Sequence, residues 1–211
     1  MINADVLTFQ EFMTHEPLPL SKIHGAVLKF LQGRNDVVLF GAYAVNAYVS
    51  EPRMTQNVDL LSTNAEVLAE ELREYLNDKF EIAVRVREVG NGKGFRVYQK
   101  RKEGNRHLVD VRLVAKFPTT EIVENISILS PAELIASKIV SYQSRKGQPK
   151  AGTDWRDLAF LLLKFPELKT EKGEIFKILK LRNANNKTLE SWREIVEQDL
   201  QPENEDEDLL F

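Results

Sequence analysis

Apolar positions along the chain change their period several times, and each change marks an element. Ile23, Ala26, Val27, Phe30 and Leu31 recur at helical spacing, and Gly33 is a natural stop. Residues 1 to about 34 therefore read as helical, with a break at Pro17-Leu18-Pro19. Asp36-Val37-Val38-Leu39-Phe40 is a short run rich in β-branched residues that ends at Gly41, the pattern of a buried strand. Ala42 to Val49 follows as a helix, closed by Pro52. Asn57-Val58-Asp59-Leu60-Leu61 alternates and predicts a second strand. Asn64 then stands where a cap is needed for an amphipathic helix to about Asn77, with Val67, Leu68, Leu72, Tyr75 and Leu76 inward.

The middle of the chain is β-like. Glu81 to Val89 alternates, Asn91-Gly92-Lys93-Gly94 turns, and Phe95 to Gln99 runs back as a hairpin. After a turn at Lys102-Glu103-Gly104-Asn105, His107 to Ala115 forms a third alternating strand. Val109, Val111 and Leu113 share one face of it, and Asp110 lies on the other. From Ser130-Pro131-Ala132-Glu133, a capping box with Pro at the first helical position, the period is helical. That helix runs to about Gln143, a basic loop spans Arg145 to Gly152, and Thr153 caps a helix to Lys164. Weaker helices fall near 172–182 and 188–199. The pattern predicts an α+β protein: a mixed β-sheet core flanked by helices over 1–125, a C-terminal helical region over 126–200, and an acidic tail over 201–211.

Composition narrows the chemistry. With 211 residues and 43% hydrophobic content the chain can bury one sizeable core, or a core plus a smaller helical unit. A formal net charge of -3 argues against a polybasic protein without excluding a local nucleic-acid face. The absence of cysteine removes disulfides, zinc ribbons, iron–sulfur clusters and thiol nucleophiles. His15, His24 and His107 are not spaced as a helical ligand pair. No apolar run approaches the roughly 18 residues of a membrane span, and Met1 to Asp5 carries no secretory pattern, so a cytoplasmic protein with no membrane partner is expected.

One constellation carries chemistry. Nucleotidyl transfer places negative charge on phosphate oxygens and on an attacking hydroxyl, and two divalent ions about 4 Å apart stabilise both ends of the displacement. That takes carboxylates at i and i+2 of one strand, a third from a neighbouring strand, and a small-residue turn that lets phosphate approach the backbone. Gly41-Ala42 supplies the turn, Asn57 and Asp59 the i, i+2 pair, and Asp110 the third position. Two acids of three are present.

The stretch Leu39-Phe40-Gly41-Ala42-Tyr43-Ala44-Val45-Asn46-Ala47-Tyr48, continuing through Arg53-Met54-Thr55-Gln56-Asn57-Val58-Asp59-Leu60-Leu61, resembles the AbiEii-type branch of the nucleotidyltransferase superfamily. So does the later segment of Ser130-Pro131, Lys138 and Asp154-Trp155-Arg156-Asp157-Leu158. The resemblance covers roughly residues 25–165. It implies a nucleotidyltransferase-like fold and Mg²⁺-assisted transfer of a nucleoside monophosphate from an NTP to RNA or protein, in a toxin–antitoxin setting with a cognate antitoxin-like partner. Carried over by position, it makes Asp59 and Asp110 the metal ligands, with Asn57 at the first ligand position among the catalytic set. It assigns nucleotide contacts to Gly41, Ala42, Arg53, Lys138, Asp154 and Asp157. Two departures stand out: Ala42 where the pattern has Gly or Ser, and Asn57 where it has Asp. A neutral amide brings no charge to a magnesium site, which favours carboxylates, so impaired transfer is expected, with a nucleotide- or RNA-binding domain or an interaction partner as the alternative.

Each assignment has a plainer reading. Asp59 can be a polar strand-end residue, Lys138 a helix-surface lysine, and Asp154 and Asp157 acids that offset a helix dipole. The hairpin basic residues, from Arg85 and Arg87 through Arg96 to Arg106 and Arg112, with Phe95 and Tyr98 among them, suit either a phosphate backbone or a solvated strand face. The loop Arg145 to Lys150 can close over a triphosphate or simply connect. His107 reads as structural.

Overall fold

In the computed structural model, residues 11, 13, 16–102 and 104–202 are described. Most of the helical expectation before residue 16, and the acidic tail beyond 202, lie outside them. The described residues contain seven strands and seven α-helices, in two compact units, one ending at Ser130 and the other beginning at Pro131.

The first unit is built on one sheet. Its elements are α1 (Leu20–Leu31), β1 (Val37–Phe40), α2 (Gly41–Asn46), β2 (Val58–Ser62), α3 (Ala65–Phe80), β3 (Val84–Val89), β4 (Gly94–Arg101), β5 (Gly104–Leu113), β6 (Thr120–Val123) and β7 (Ile126–Leu129). The strand order is β3-β4-β5-β2-β1-β7-β6. β2 runs parallel to β5 and β1 parallel to β7, while the remaining pairs are antiparallel. The sheet is therefore mixed, as the alternating and continuous apolar runs anticipate.

Helical periodicity makes the packing. Ile23, Val27 and Leu31 repeat at i, i+4 and i+8 on α1, and Leu68, Leu72 and Leu76 do so on α3; all six are fully buried. Helix α3 lies on β3, β4 and β5, where Val84, Val97 and Val109 meet it from the core face. Each such side chain contributes about 1.5–3 kcal/mol by leaving water. All four residues of β1 are buried, consistent with a strand covered on both faces.

Several local expectations change. Helix α2 ends at Asn46 instead of Val49, although the Ala47 and Val49 N–H groups still donate to carbonyls four residues back, Tyr43 and Val45. Asn64 sits at the N-cap of α3 without a side-chain capping bond; its own N–H donates to Ser62 Oγ at 3.0 Å. The β6–β7 hairpin was not anticipated, and β7 occupies residues where a helical region was expected to begin. Its two-residue turn, Glu124-Asn125, has positive φ at both positions (51° and 63°), the backbone of a type I′ turn.

The second unit is helical: α4 (Pro131–Ser144), α5 (Pro149–Lys164), α6 (Glu174–Leu181) and α7 (Asn186–Glu197). The two weaker helices fall close to their expected places. Helix α5 starts five residues earlier than expected, with Pro149 at its first turn, so Thr153 is not a cap and the connector is only Arg145 to Gln148. Trp192, Leu158, Leu161, Ile135, Ile139, Ile175 and Leu179 form the core. Asn185 caps α7, its side chain accepting from the Thr188 N–H at 2.9 Å. Glu133 is ion-paired with Arg182. No helix among the described residues is long and apolar enough to cross a membrane.

Candidate functional site

The sheet register assembles the site. Phe40 lies opposite Asp59, Asp59 opposite Asp110, Asp110 opposite Arg96, and Arg96 opposite Arg87. Directly opposed residues share a face, so this row crosses five strands on one side of the sheet. The two acids sit side by side because β2 and β5 are parallel neighbours in register, a pairing that no local pattern announces.

Asn57, two residues before Asp59, projects to the same face. Its Nδ2 donates to Asp59 Oδ1 at 3.0 Å and reaches Asp110 Oδ2 at 3.5 Å. An amide between two carboxylates must turn its NH₂ toward them, since its oxygen is an acceptor like theirs. Asn57 therefore acts as a hydrogen-bond clasp between the two acids.

The turn after β1 abuts the same carboxylate. Gly41 has φ +71°, and a Cβ there would lie 2.9 Å from Asp59 Cγ and 3.0 Å from Asp59 Cβ. Only glycine meets both conditions. Ala42, the next residue, is buried. The loop back to β2 is held by Asn46: its Nδ2 donates to the Arg53 carbonyl at 2.8 Å, and its Oδ1 accepts the Arg53 N–H at 3.1 Å. Arg53 donates from Nη1 to the Met54 carbonyl, and Thr55 Oγ1 donates to the Asn57 carbonyl at 3.2 Å.

Asp110 is engaged from β4 and from its own strand. Arg96 forks onto it, Nε to Oδ1 at 2.9 Å and Nη2 to Oδ2 at 3.4 Å. His107 Nε2 lies 3.0 Å from Oδ1 but off the line of a hydrogen bond. Burial alone would raise the Asp110 pKa, but His107 and Arg96 outweigh it and hold the carboxyl below its ordinary value. His107 reaches this face through a β-bulge. Val97 lies opposite Val109 but Tyr98 opposite His107, so β5 carries one extra residue, Leu108. Residues three apart on a regular strand face opposite sides; the extra residue brings His107 round to the side of Asp110. Further along the face, the Arg112 guanidinium lies 4.8 Å from the Phe40 ring centre.

Behind the turn, His24 of α1 meets Tyr43 of α2, Nδ1 to the hydroxyl at 2.7 Å. The imidazole is almost wholly buried. Burial first, and then the nearby positive charge of Arg106, lower its pKa to about 4.

The remaining sequence candidates lie in the second unit. Lys138 Nζ is 2.5 Å from Asp157 Oδ2 and 3.6 Å from Asp154 Oδ1, and Arg145 Nη1 is 2.6 Å from Asp154 Oδ2. Lys138, Asp154 and Asp157 are all buried, so Lys138 is not a helix-surface lysine. The two acids occupy the second and third turns of α5, where they pair with cations instead of offsetting a dipole.

The structure thus gathers Gly41, Asn57, Asp59 and Asp110 at one place in the first unit, and Lys138, Asp154 and Asp157 at one place in the second. Arg96 and His107 were not singled out as site residues by sequence. The basic hairpin hinted at Arg96; nothing local marks the bulge that recruits His107.

These residues do not fit a pair of Mg²⁺ ions. The amide at 57 presents N–H groups where a bridging carboxylate is needed, and both oxygens of Asp110 already face the Arg96 guanidinium. No group of three or more His, Cys, Asp or Glu among the described residues could hold a metal ion.

Residues 26–209 match the family model described as nucleotidyl transferase AbiEii toxin, Type IV TA system. Among solved structures, the Megavirus polyadenylate synthase aligns with TM-score 0.58 and 11% identity, over 74% of this chain and 34% of that one. JHP933 from Helicobacter pylori aligns with TM-score 0.52 and 12% identity, over 90% and 92%. At such identities the likeness shows the fold, a nucleotidyltransferase-type mixed sheet with flanking helices. This chain spans about a third of the viral protein. No curated protein sequence matches it.

Proposed function

The chain belongs to the AbiEii nucleotidyl transferase toxin family, and from that premise we propose that it binds a nucleoside triphosphate beside Gly41 and transfers the nucleoside monophosphate to RNA or protein inefficiently. The observation that carries the reading is the pairing of Asp59 with Asp110 directly across parallel strands, next to a turn where a side chain has no room. In this reading, Gly41 leaves backbone bare for phosphate approach, and the two carboxylates mark where the acceptor hydroxyl is received. Asn57 lowers efficiency because it adds no charge to the pair. Proposed partners are the nucleotide, an RNA acceptor and a cognate antitoxin-like protein; Mg²⁺ is the ion the family implies.

A second reading, nucleotide or RNA binding without chemistry, is favoured by the Asn57 clasp, whose amide N–H groups tie the two acids to each other. Incubation with each α-labelled NTP, pooled RNA and Mg²⁺ or Mn²⁺ separates the two. The transfer reading expects weak label incorporation, lost in Asp59→Ala and raised in Asn57→Asp. Saturable nucleotide binding with no incorporation by either the wild type or Asn57→Asp would overturn it in favour of the second.

A further inference from the structure

The sheet face that carries the two acids also carries a group of cations that no carboxylate neutralises. On β4, Tyr98 and Lys100 follow Arg96 at two-residue steps. On β3, Arg85 and Arg87 lie opposite Tyr98 and Arg96, and on β5, Arg112 follows Asp110. The other face of these strands, with Val84, Val97 and Val109, packs against α3. Of the two hairpin aromatics, Tyr98 is on the basic face; Phe95, opposite Glu88 and Val111, is on the helical one. Arg85, Arg87, Lys100 and Arg112 are exposed, and none of them forms an ion pair among the described residues. Elsewhere in the first unit, Arg34, Arg73, Arg101 and Arg106 each meet a carboxylate. A chain of net charge -3 thus leaves four unneutralised cations on one face of three strands.

We propose that this face of β3, β4 and β5 is a platform for single-stranded RNA, which runs along it toward Asp59 and Asp110. The inference rests on the RNA partner of the readings above and holds for either of them.

Extent, chemistry and position support it. Arg112 lies opposite Gly94, six positions from Lys100 along β4, so the cations extend over about 20 Å at the ordinary rise of a strand. That is too long for the phosphates of one nucleotide and suits about four, the small end for sheets that bind single strands. Contacts from arginine and lysine to phosphate are indifferent to the base, so this row supplies affinity and direction. Tyr98 stands between Arg96 and Lys100, half-exposed, where its ring can stack on a base only if that base is unpaired. Asn105, exposed opposite Lys100, offers an amide to a 2′-hydroxyl, the group that separates RNA from DNA. Arg96 joins the platform to Asp110, directly across β4 and β5, so a strand lying on it is led to the carboxylate pair.

The test is fluorescence anisotropy of a labelled, unstructured RNA 12-mer titrated with the full-length protein in EDTA, over a range of salt. The wild type should bind, with log affinity falling linearly against log salt. Arg87→Gln with Arg112→Gln should weaken binding and make that slope shallower by about 1.4, two phosphate contacts on a single strand. Tyr98→Leu should weaken binding at least about fivefold, the loss of one stacked base, and leave the slope unchanged. Tyr98→Phe keeps the ring and should bind like the wild type, which separates stacking from damage to the sheet. Arg73→Gln, on α3, should have no effect. DNA of the same sequence should bind more weakly, and poly-glutamate, which offers charge without bases, should compete poorly. Affinity and slope unchanged in all these variants overturn the platform, even if RNA binds. Equal binding of DNA overturns the choice of RNA, and equal competition by poly-glutamate overturns it in favour of an acidic protein. RNA binding lost in the variants, with no label transfer by any form, supports the platform and overturns the transfer reading alone.

Discussion

Replacing Gly41 by alanine tests whether the turn and the carboxylate are one unit. Two separate costs follow from its surroundings. The first is conformational: φ of +71° lies in the left-handed region, where a Cβ costs about 1–2 kcal/mol. The second is steric. The new methyl would lie 2.9 Å from Asp59 Cγ, so the carboxylate must move and its bond from Asn57 Nδ2 is disturbed. A hydrogen bond to a charged group contributes about 1.5–3 kcal/mol, which brings the total to about 3–5 kcal/mol. Gly33 is the control: its φ is +74°, but a Cβ there meets only Asn125 Nδ2 at an ordinary 3.5 Å. Gly33→Ala therefore carries the conformational cost without the steric one. With a urea m-value of about 2 kcal/mol/M, the two variants should differ by about 1 M in midpoint, read by circular dichroism. Equal midpoints would refute the claim that Asp59 packs against the turn, and with it the convergence on which the site depends.

Three further outcomes follow from other parts of the chain. His24, with its pKa lowered to about 4, stays neutral in the fold while the unfolded chain takes up a proton near pH 6.5. Its contribution is complete above that pH and is lost as pH falls toward 4, by about 3 kcal/mol; urea titrations at pH 7.5, 5.5 and 4.5 should show that slope flattened in His24→Gln, and an unchanged slope would refute the assignment. Asp157→Ala takes the nearer carboxylate from the buried Lys138 ammonium, leaving it Asp154 Oδ1 at 3.6 Å, and should cost about 3 kcal/mol, the low end for a broken buried pair, while Lys138→Met with Asp157→Leu should cost less than the single change. Fluorescence of Trp155 and Trp192, the only tryptophans, reads this unfolding from within the second unit; a double variant weaker than the single would refute the pairing. Asn57→Asp should lower the melting temperature without divalent ions, because it replaces a donor with a third negative charge, and recover it when Mn²⁺ is added; a metal-free form as stable as the wild type would contradict the clasp.

Elements with a strong period were legible in the sequence, and so was the turn that joins two of them. Val37 to Phe40, Val58 to Ser62 and the stripe Leu68, Leu72, Leu76 could be placed because burial on one or both faces writes itself directly into the pattern. Gly41 was legible because a glycine after a buried strand and before a helix has few other reasons to be there. Positions set by long-range pairing were not. Asp59 and Asp110 could be named as candidates, but their direct opposition depends on β2 and β5 lying parallel, about fifty residues apart in the chain. Arg96 looked like one basic residue among many; only its cross-strand partner distinguishes it. The β6–β7 turn was missed because Glu124-Asn125 lacks the glycine that usually betrays left-handed backbone. The start of α5 was misplaced because Gly147-Gln148-Pro149 reads as loop, although proline suits the first turn of a helix.

The extra residue in β5 has a consequence for any change of length there. A strand repeats every two residues, so Leu108 acts as a half-period offset between everything before it and everything after it. Removing Leu108 would leave His107 two positions before Asp110, so β5 would run regularly with His107 still opposite Tyr98 and on the face of Asp110. That deletion should cost the buried Leu108 side chain while both halves of the strand keep their partners. Deleting a residue outside the bulge, such as Val111, has no such absorber and would act as a frame error in three dimensions, so it should do more damage than deleting Leu108.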